Sequence, residues 1–164
     1  MEEIVKQRKE LIMAEIMPPE RANFTGHIHG GYIVLLLDRV AYACTSRYCG
    51  KSVVTVSIDE VLFKKSIFIG DLVTFYASIN YVGRTSMVVG IRVTAENLKT
   101  GEVRHTNTCY ITMVAIDDQG NPTPVPKLIL NNDTDRRRYK EAEELKQLRK
   151  EYQLKMAAVK LTKD

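Results

Sequence analysis

The stretch that decides the fold is Gly30-Gly31-Tyr32-Ile33-Val34-Leu35-Leu36-Leu37-Asp38-Arg39-Val40-Ala41-Tyr42-Ala43-Cys44, continuing to Tyr48. From Tyr32 to Tyr48 there is no Gly or Pro, and Leu, Ala and Val dominate. The sequence predicts a helix of about 16 residues here, ended by Gly50. Apolar side chains fall on nearly every side, so the helix is expected to be buried. Beyond it the hydrophobic period changes. Val53 to Phe63 and Leu72 to Val82 are rich in β-branched residues, and Ser86 to Ala95 alternates with Met87, Val89, Ile91 and Val93 on one face. Val103 to Ile116 completes four long strand candidates. Turn signals separate them at Gly70-Asp71, Gly83-Arg84-Thr85 and Lys99-Thr100-Gly101. One buried helix followed by closely spaced strands predicts an antiparallel sheet wrapped around that helix, an α+β fold.

Upstream, Leu11 to Met17 reads as a first strand, with a short helix as competitor, stopped by Pro18 and Pro19. Asn23 to Gly31 reads as a loop whose glycines permit close backbone approach. Downstream, Pro124 and Pro126 lead out of the sheet. From Asp135 the chain is a charged helix in which Tyr139, Ala142, Leu145, Leu148, Tyr152, Met156 and Val159 recur every three or four residues. That stripe must pack on the body or on another subunit. The expected domains are residues 1–130 and a C-terminal helical segment, 131–164.

Composition narrows the function. Apolar residues make up 45% of 164 residues, enough for a core. The longest purely apolar run is Ile33 to Leu37, far short of the roughly 20 residues of a bilayer span. The charged N-terminus lacks a signal-peptide apolar region, which points to the cytosol. Net charge is +4. Residues 135–164 hold ten Lys or Arg against six Asp or Glu, and residues 1–134 hold 14 of each, so the excess lies wholly in the tail. Interspersed glutamates there favour a solvated, oligomerising helix over a nucleic-acid site. The three cysteines, Cys44, Cys49 and Cys109, have neither disulfide nor zinc spacing and are expected to be reduced and mostly buried.

Asp38 is the chemical anomaly, a carboxylate in the second turn or so of a helix that should be buried. It either pairs with Arg39 or turns to a solvated face, or it is a general base or nucleophile. Gly30-Gly31 at the helix start offers N–H groups to developing negative charge, as an oxyanion site requires, although a plain tight turn also explains it. His27-Ile28-His29 has a spacing that binds metal on a strand, but no metal is expected. His105 is expected to be structural. No Gly-x-Ser-x-Gly or Ser-His-Asp arrangement is present.

Asn23-x-x-Gly26-x-x-x-Gly30-Gly31, with Asp38 seven residues on, resembles the active-site segment of the cytosolic acyl-CoA thioesterases of the hotdog fold. Val54 to Asp59 followed by Phe63, Ile69-Gly70-Asp71, Val82 to Ser86 and Pro126 match later signatures of that family. The resemblance covers roughly residues 8–130. It implies hydrolysis of a fatty acyl-CoA to free fatty acid and coenzyme A. Asp38 would activate water or attack the thioester. Asn23 would polarise the carbonyl or position water, facing the Asp of a neighbouring subunit. The backbone of Gly30 and Gly31 would bind the oxyanion, and Thr55 would lie near the reacting centre. His29, Lys65 and the turn Gly83-Arg84-Thr85-Ser86 would contact the coenzyme A end, a guanidinium being matched to phosphate. Relatives often carry proline at the position of Ser66, so the shape of that loop departs from the pattern. The family also implies a homo-oligomer, a dimer at least and a trimer of dimers in full, with no cofactor, nucleic acid or membrane insertion. The alternative is a non-catalytic acyl-CoA sensor of the same fold. Such regulators usually carry an attached DNA-binding domain, which is not expected in the residues before position 8, and the C-terminal helix is a poor candidate for one. A hydratase acting on enoyl thioesters would want a His-Asp pair that the sequence does not show.

Overall fold

The computed structural model describes residues 7–161. The chain forms one compact unit running to Lys127 and a second beginning at Leu128. In the first, strand β1 (Glu10–Ile16) precedes helix α1 (Gly30–Cys49), followed by β2 (Ser52–Ile58), β3 (Leu72–Val82), β4 (Ser86–Glu96) and β5 (Val103–Ile116). All five strands are antiparallel in the order β1-β3-β4-β5-β2. Each strand touches α1, so the sheet curls around the helix as the residue pattern predicts.

The core is the seam between them. Ile33, Leu37, Val40, Ala41 and Cys44 of α1 are fully buried. The alternate residues Val73, Phe75, Val89, Ile91, Val93, Ile111 and Met113 face them from β3, β4 and β5. A side chain of that size contributes about 1.5–3 kcal/mol when fully buried. Helix α1 ends where expected. Gly50 takes the left-handed conformation, φ 65°, and its N–H bonds to Ser46 O at 2.8 Å.

The helix starts earlier than Tyr32, because Gly30 and Gly31 are its first two residues. Asp38 is therefore its ninth residue and sits in the third turn, not the second. Strand β2 is shorter than the expected run to Phe63. A bulge between Thr55 and Ser57 disrupts the ladder, and pairing stops at Ile58–Ile111. The charged segment from Asp59 then crosses to the start of α1. Lys64 N bonds to Thr106 O at 3.0 Å, and Ile28 N bonds to Ile67 O at 2.8 Å. The competing helix at the N-terminal end is replaced by β1, which pairs in register with β3.

One ion pair anchors the connection into β3. Arg104 Nη2 lies 2.6 Å from Asp71 Oδ2, with only 14% and 4% of the two side chains exposed. The same carboxylate oxygen accepts Phe68 N at 2.9 Å, and Arg104 lies over the Phe68 ring. Removing one partner of a buried pair strands the other charge. Arg104→Met is expected to lower stability by about 3 kcal/mol, read as a lower urea midpoint with an unchanged slope. An unchanged midpoint would show that the pair is neutral to folding.

The second unit is helix α2 (Asp133–Leu161), which starts two residues before the expected Asp135. Asn132 Oδ1 accepts Asp135 N at 2.9 Å, and Asp135 Oδ2 accepts Asn131 N at 2.8 Å, a reciprocal cap of the kind that fixes a helix start. Exposed pairs such as Arg137–Glu141 at 2.7 Å add little. Along the apolar stripe Ala142 is buried, while Leu148, Tyr152 and Val159 are more than half exposed. No helix among the described residues is long and apolar enough to cross a membrane.

Candidate active site

Asp38 lies on a half-buried part of α1, and its partner is Thr55 rather than Arg39. The Thr55 hydroxyl donates to Asp38 Oδ1 at 2.6 Å. Arg39 is exposed. Two features of the fold produce this contact. Thr55 pairs with Met113, and Met113 is buried against the helix, so Thr55 projects from the helix-facing side of β2. One carboxylate oxygen is held by the threonine, which leaves the other oxygen to act on a second group.

The turn Gly83-Arg84-Thr85-Ser86 lies near this end of the sheet. Met87 pairs with Met113, the same residue that pairs with Thr55, so the turn stands two strands across from Thr55. Its backbone is tied down on both sides. Ala115 N bonds to Thr85 O at 3.0 Å and Val125 N to Arg84 O at 3.0 Å.

The other candidates gather at the N-terminal start of the helix, about two turns from Asp38. Gly30 and Gly31 precede the first intrahelical donors, Tyr32 N and Ile33 N, which bond to His29 O. Their N–H groups belong to the set that a helix leaves without internal acceptors. His29 is the residue before the helix; it is exposed, and its side chain makes no capping bond. Beside this start runs a cleft of about 250 Å³. Ile28, Ile33, Phe63 and Ile67 supply apolar walls, Gly30 lines it, and Lys64 and Lys65 bring positive charge. Lys65 thus lines the cleft with Gly30, while Arg84 lies in the turn two strands across from Thr55.

Asn23 holds the loop before the helix in shape. Its Oδ1 accepts Thr25 N at 3.0 Å, the Thr25 hydroxyl at 2.7 Å and His27 N at 3.1 Å. With that oxygen engaged inward, the amide NH₂ is what this exposed side chain presents outward. His27 turns one ring nitrogen, Nδ1, to the Thr25 hydroxyl at 2.7 Å, and its ring packs on Phe68. His105 Nε2 lies within hydrogen-bond distance of Asn107 O and Thr108 Oγ1, in keeping with a structural residue. Tyr32 donates to Glu15 Oε1 at 2.6 Å. That bond and then burial raise its pKa. Burial pushes the thiols of Cys44 and Cys109 up to about 12, so neither is a ready nucleophile.

Sequence reasoning missed the contact between Phe63 and Gly30, the cleft they share, and the Arg104–Asp71 pair. These partners lie more than 30 residues apart, and no local spacing signals them.

The Thioesterase superfamily model matches residues 25–102. The protein VdlD of Helicobacter pylori is 50% identical over 142 residues, covering 87% of this chain and 81% of its own. A structure described as an apo-hexameric acyl-CoA thioesterase superposes with a TM-score of 0.84 at 36% identity, over 88% of this chain and 93% of that one. The acyl-CoA hydrolase from Staphylococcus aureus, solved with butyryl coenzyme A, coenzyme A and coenzyme A disulfide, gives a TM-score of 0.83 at 26% identity over 92% of each chain. The chain belongs to the thioesterase superfamily and has the hotdog fold. It is an enzyme of the acyl-CoA thioester hydrolase kind.

Proposed function

We propose that the protein hydrolyses fatty acyl-CoA to free fatty acid and coenzyme A in the cytosol, with Asp38 as the group that drives attack. The observation that carries this is the Thr55–Asp38 hydrogen bond. It fixes a carboxylate on a helix whose own start presents two uncommitted amides. A thioester carbonyl is already electrophilic and its thiolate leaves readily. One oriented carboxylate, one water and one oxyanion site are sufficient chemistry. Asp38 takes a proton from water, or attacks the carbonyl itself. The N–H groups of Gly30 and Gly31 take the developing negative charge on oxygen, and the Asn23 amide supplies a further donor. Neither metal nor redox cofactor enters any step.

Distance within one chain supports a site shared by two. Gly31 and Asp38 are seven residues apart, hence on one face of the helix but separated by about 10 Å along its axis. A base and an oxyanion site must serve the same carbonyl, with reacting atoms about 3 Å apart. Asp38 and Thr55 of one subunit would therefore meet Asn23, Gly30 and Gly31 of another. The same reading makes the protein a dimer at least, and in full a trimer of dimers; two structural neighbours are hexameric. His29, Lys65 and the Gly83–Ser86 turn would receive the anionic coenzyme A end, residues 1–130 would form the catalytic domain, and residues 131–164 an accessory helix.

The test is hydrolysis of an acyl-CoA panel, short to long, followed by release of free thiol. Turnover that peaks at one chain length is expected. Tight binding without turnover would favour a sensor instead.

A further inference from the structure

We propose that Phe63 is a positioning residue of this site, and that position 30 is glycine because the Phe63 ring occupies the space its side chain would need. The inference rests on the thioesterase reading of the preceding section and deepens it. A Cβ built on Gly30 would lie 3.2 Å from Phe63 Cε2 and 3.4 Å from Cζ, tighter than ordinary van der Waals contact. At Gly31 the same construction meets nothing within 4 Å. The two glycines are thus different. Gly31 borders open space, while Gly30 faces the Cδ2–Cε2–Cζ edge of the Phe63 ring. The backbone conformation of Gly30 is one that any residue can adopt, because its φ is not positive. Conformational freedom does not explain the glycine, and close approach does.

Phe63 is held there by the fold. The next residue is tied to the inner end of β5 through Lys64 N to Thr106 O at 3.0 Å, and the far side of the cleft is tied through Ile28 N to Ile67 O at 2.8 Å. Yet 45% of the Phe63 side chain remains exposed, and the ring forms one wall of the cleft. The cleft, at about 250 Å³, is smaller than the roughly 300–1,000 Å³ of sites that enclose a whole drug-sized ligand. It suits a segment of a long ligand, the methylenes that flank a thioester. An apolar ring beside the Gly30 backbone keeps water from that side and so strengthens an N–H to oxyanion bond. It also limits the angles at which the thioester can enter.

The experiment is a double-mutant cycle on the full chain, read as kcat and KM with one saturable acyl-CoA. Gly30→Ala alone is expected to lose about 10-fold in kcat, because the ring must shift by a few tenths of an ångström to admit the new methyl. Phe63→Ala alone is expected to lose about 10-fold in kcat, and Phe63→Leu, which retains an apolar wall, should recover most of it. The double variant Gly30→Ala/Phe63→Ala should be no worse than the poorer single, because the clash is gone. Multiplicative losses in the double variant, or a Phe63→Ala enzyme with wild-type kcat, would overturn the proposal. Melting temperature and assembly mass, expected to be unchanged because Phe63 is half exposed, separate positioning from misfolding. If Phe63→Ala does not fold, Phe63→Leu with and without Gly30→Ala completes the same cycle, and equal losses from Gly30→Ala in both backgrounds would again overturn it. A wild-type chain inert towards every acyl-CoA would sink the thioesterase reading itself, a different failure from any of these.

Discussion

Asp38→Asn is expected to fold, assemble and bind acyl-CoA normally, and to lose about 10²–10⁴-fold in kcat. Asn keeps the size of the side chain and an oxygen to accept the Thr55 hydroxyl, now 2.6 Å from Asp38 Oδ1. What it loses is the negative charge and with it the ability to take a proton or to attack. KM should change little, since the carboxylate acts on the transition state more than on the bound substrate. The measurement is thiol release against acyl-CoA concentration, beside a thermal melt and a light-scattering mass. A variant that retains full turnover would remove Asp38 from the mechanism. A variant that falls apart would instead give Asp38 a structural role through Thr55.

The second large effect tests the shared site. Asn23→Ala removes the outward amide and is expected to lose about 10²-fold in kcat by itself. It also removes the Oδ1 that accepts from Thr25 and His27, so Asn23→Asp, which keeps those acceptors and lacks the NH₂, is the companion variant. Mixing the two inactive proteins is the decisive step. If Asn23 and Asp38 of one site come from different subunits, a dimer of one Asn23→Ala chain and one Asp38→Asn chain carries one doubly damaged site and one intact site. Random reassembly from equal amounts should then restore about a quarter of the wild-type rate. If both residues of a site come from the same chain, every site in the mixture keeps one defect and no activity returns. Co-expression with two different affinity tags, with purification through both, isolates mixed assemblies; recovery should rise to about half for a dimer and stay at about a quarter for a trimer of dimers.

These predictions draw on different levels of the molecule. The helix around Asp38 and four of the strands are written in hydrophobic periods that depend on neighbours a few residues away, and so they are legible in the chain. The Gly50 stop is equally local, because a left-handed residue there follows from the helix end itself. Candidate chemistry was legible for the same reason. A carboxylate among Leu37, Val40 and Ala41, and a glycine pair at a helix start, are anomalies against a local background.

The tertiary structure decided the partners. Asp38 could have turned to Arg39, its neighbour in sequence. A helix places adjacent residues about 100° apart, and the curl of the sheet brings Thr55 across instead. Pairing of β2 with β5 runs past the bulge after Thr55 and ends at Ile58, and the chain beyond it carries Phe63 to the start of α1 rather than along a strand. The separation of Asp38 from Gly31 by two helical turns is visible as a spacing. That both positions lie on one helix packed against one sheet is what the tertiary structure adds. Sequence alone therefore determined which elements form and which residues are chemically out of place. Packing at distances of tens of residues determined what each of those residues touches, because side-chain contacts across a sheet are set by register and curvature, which no short window of sequence contains.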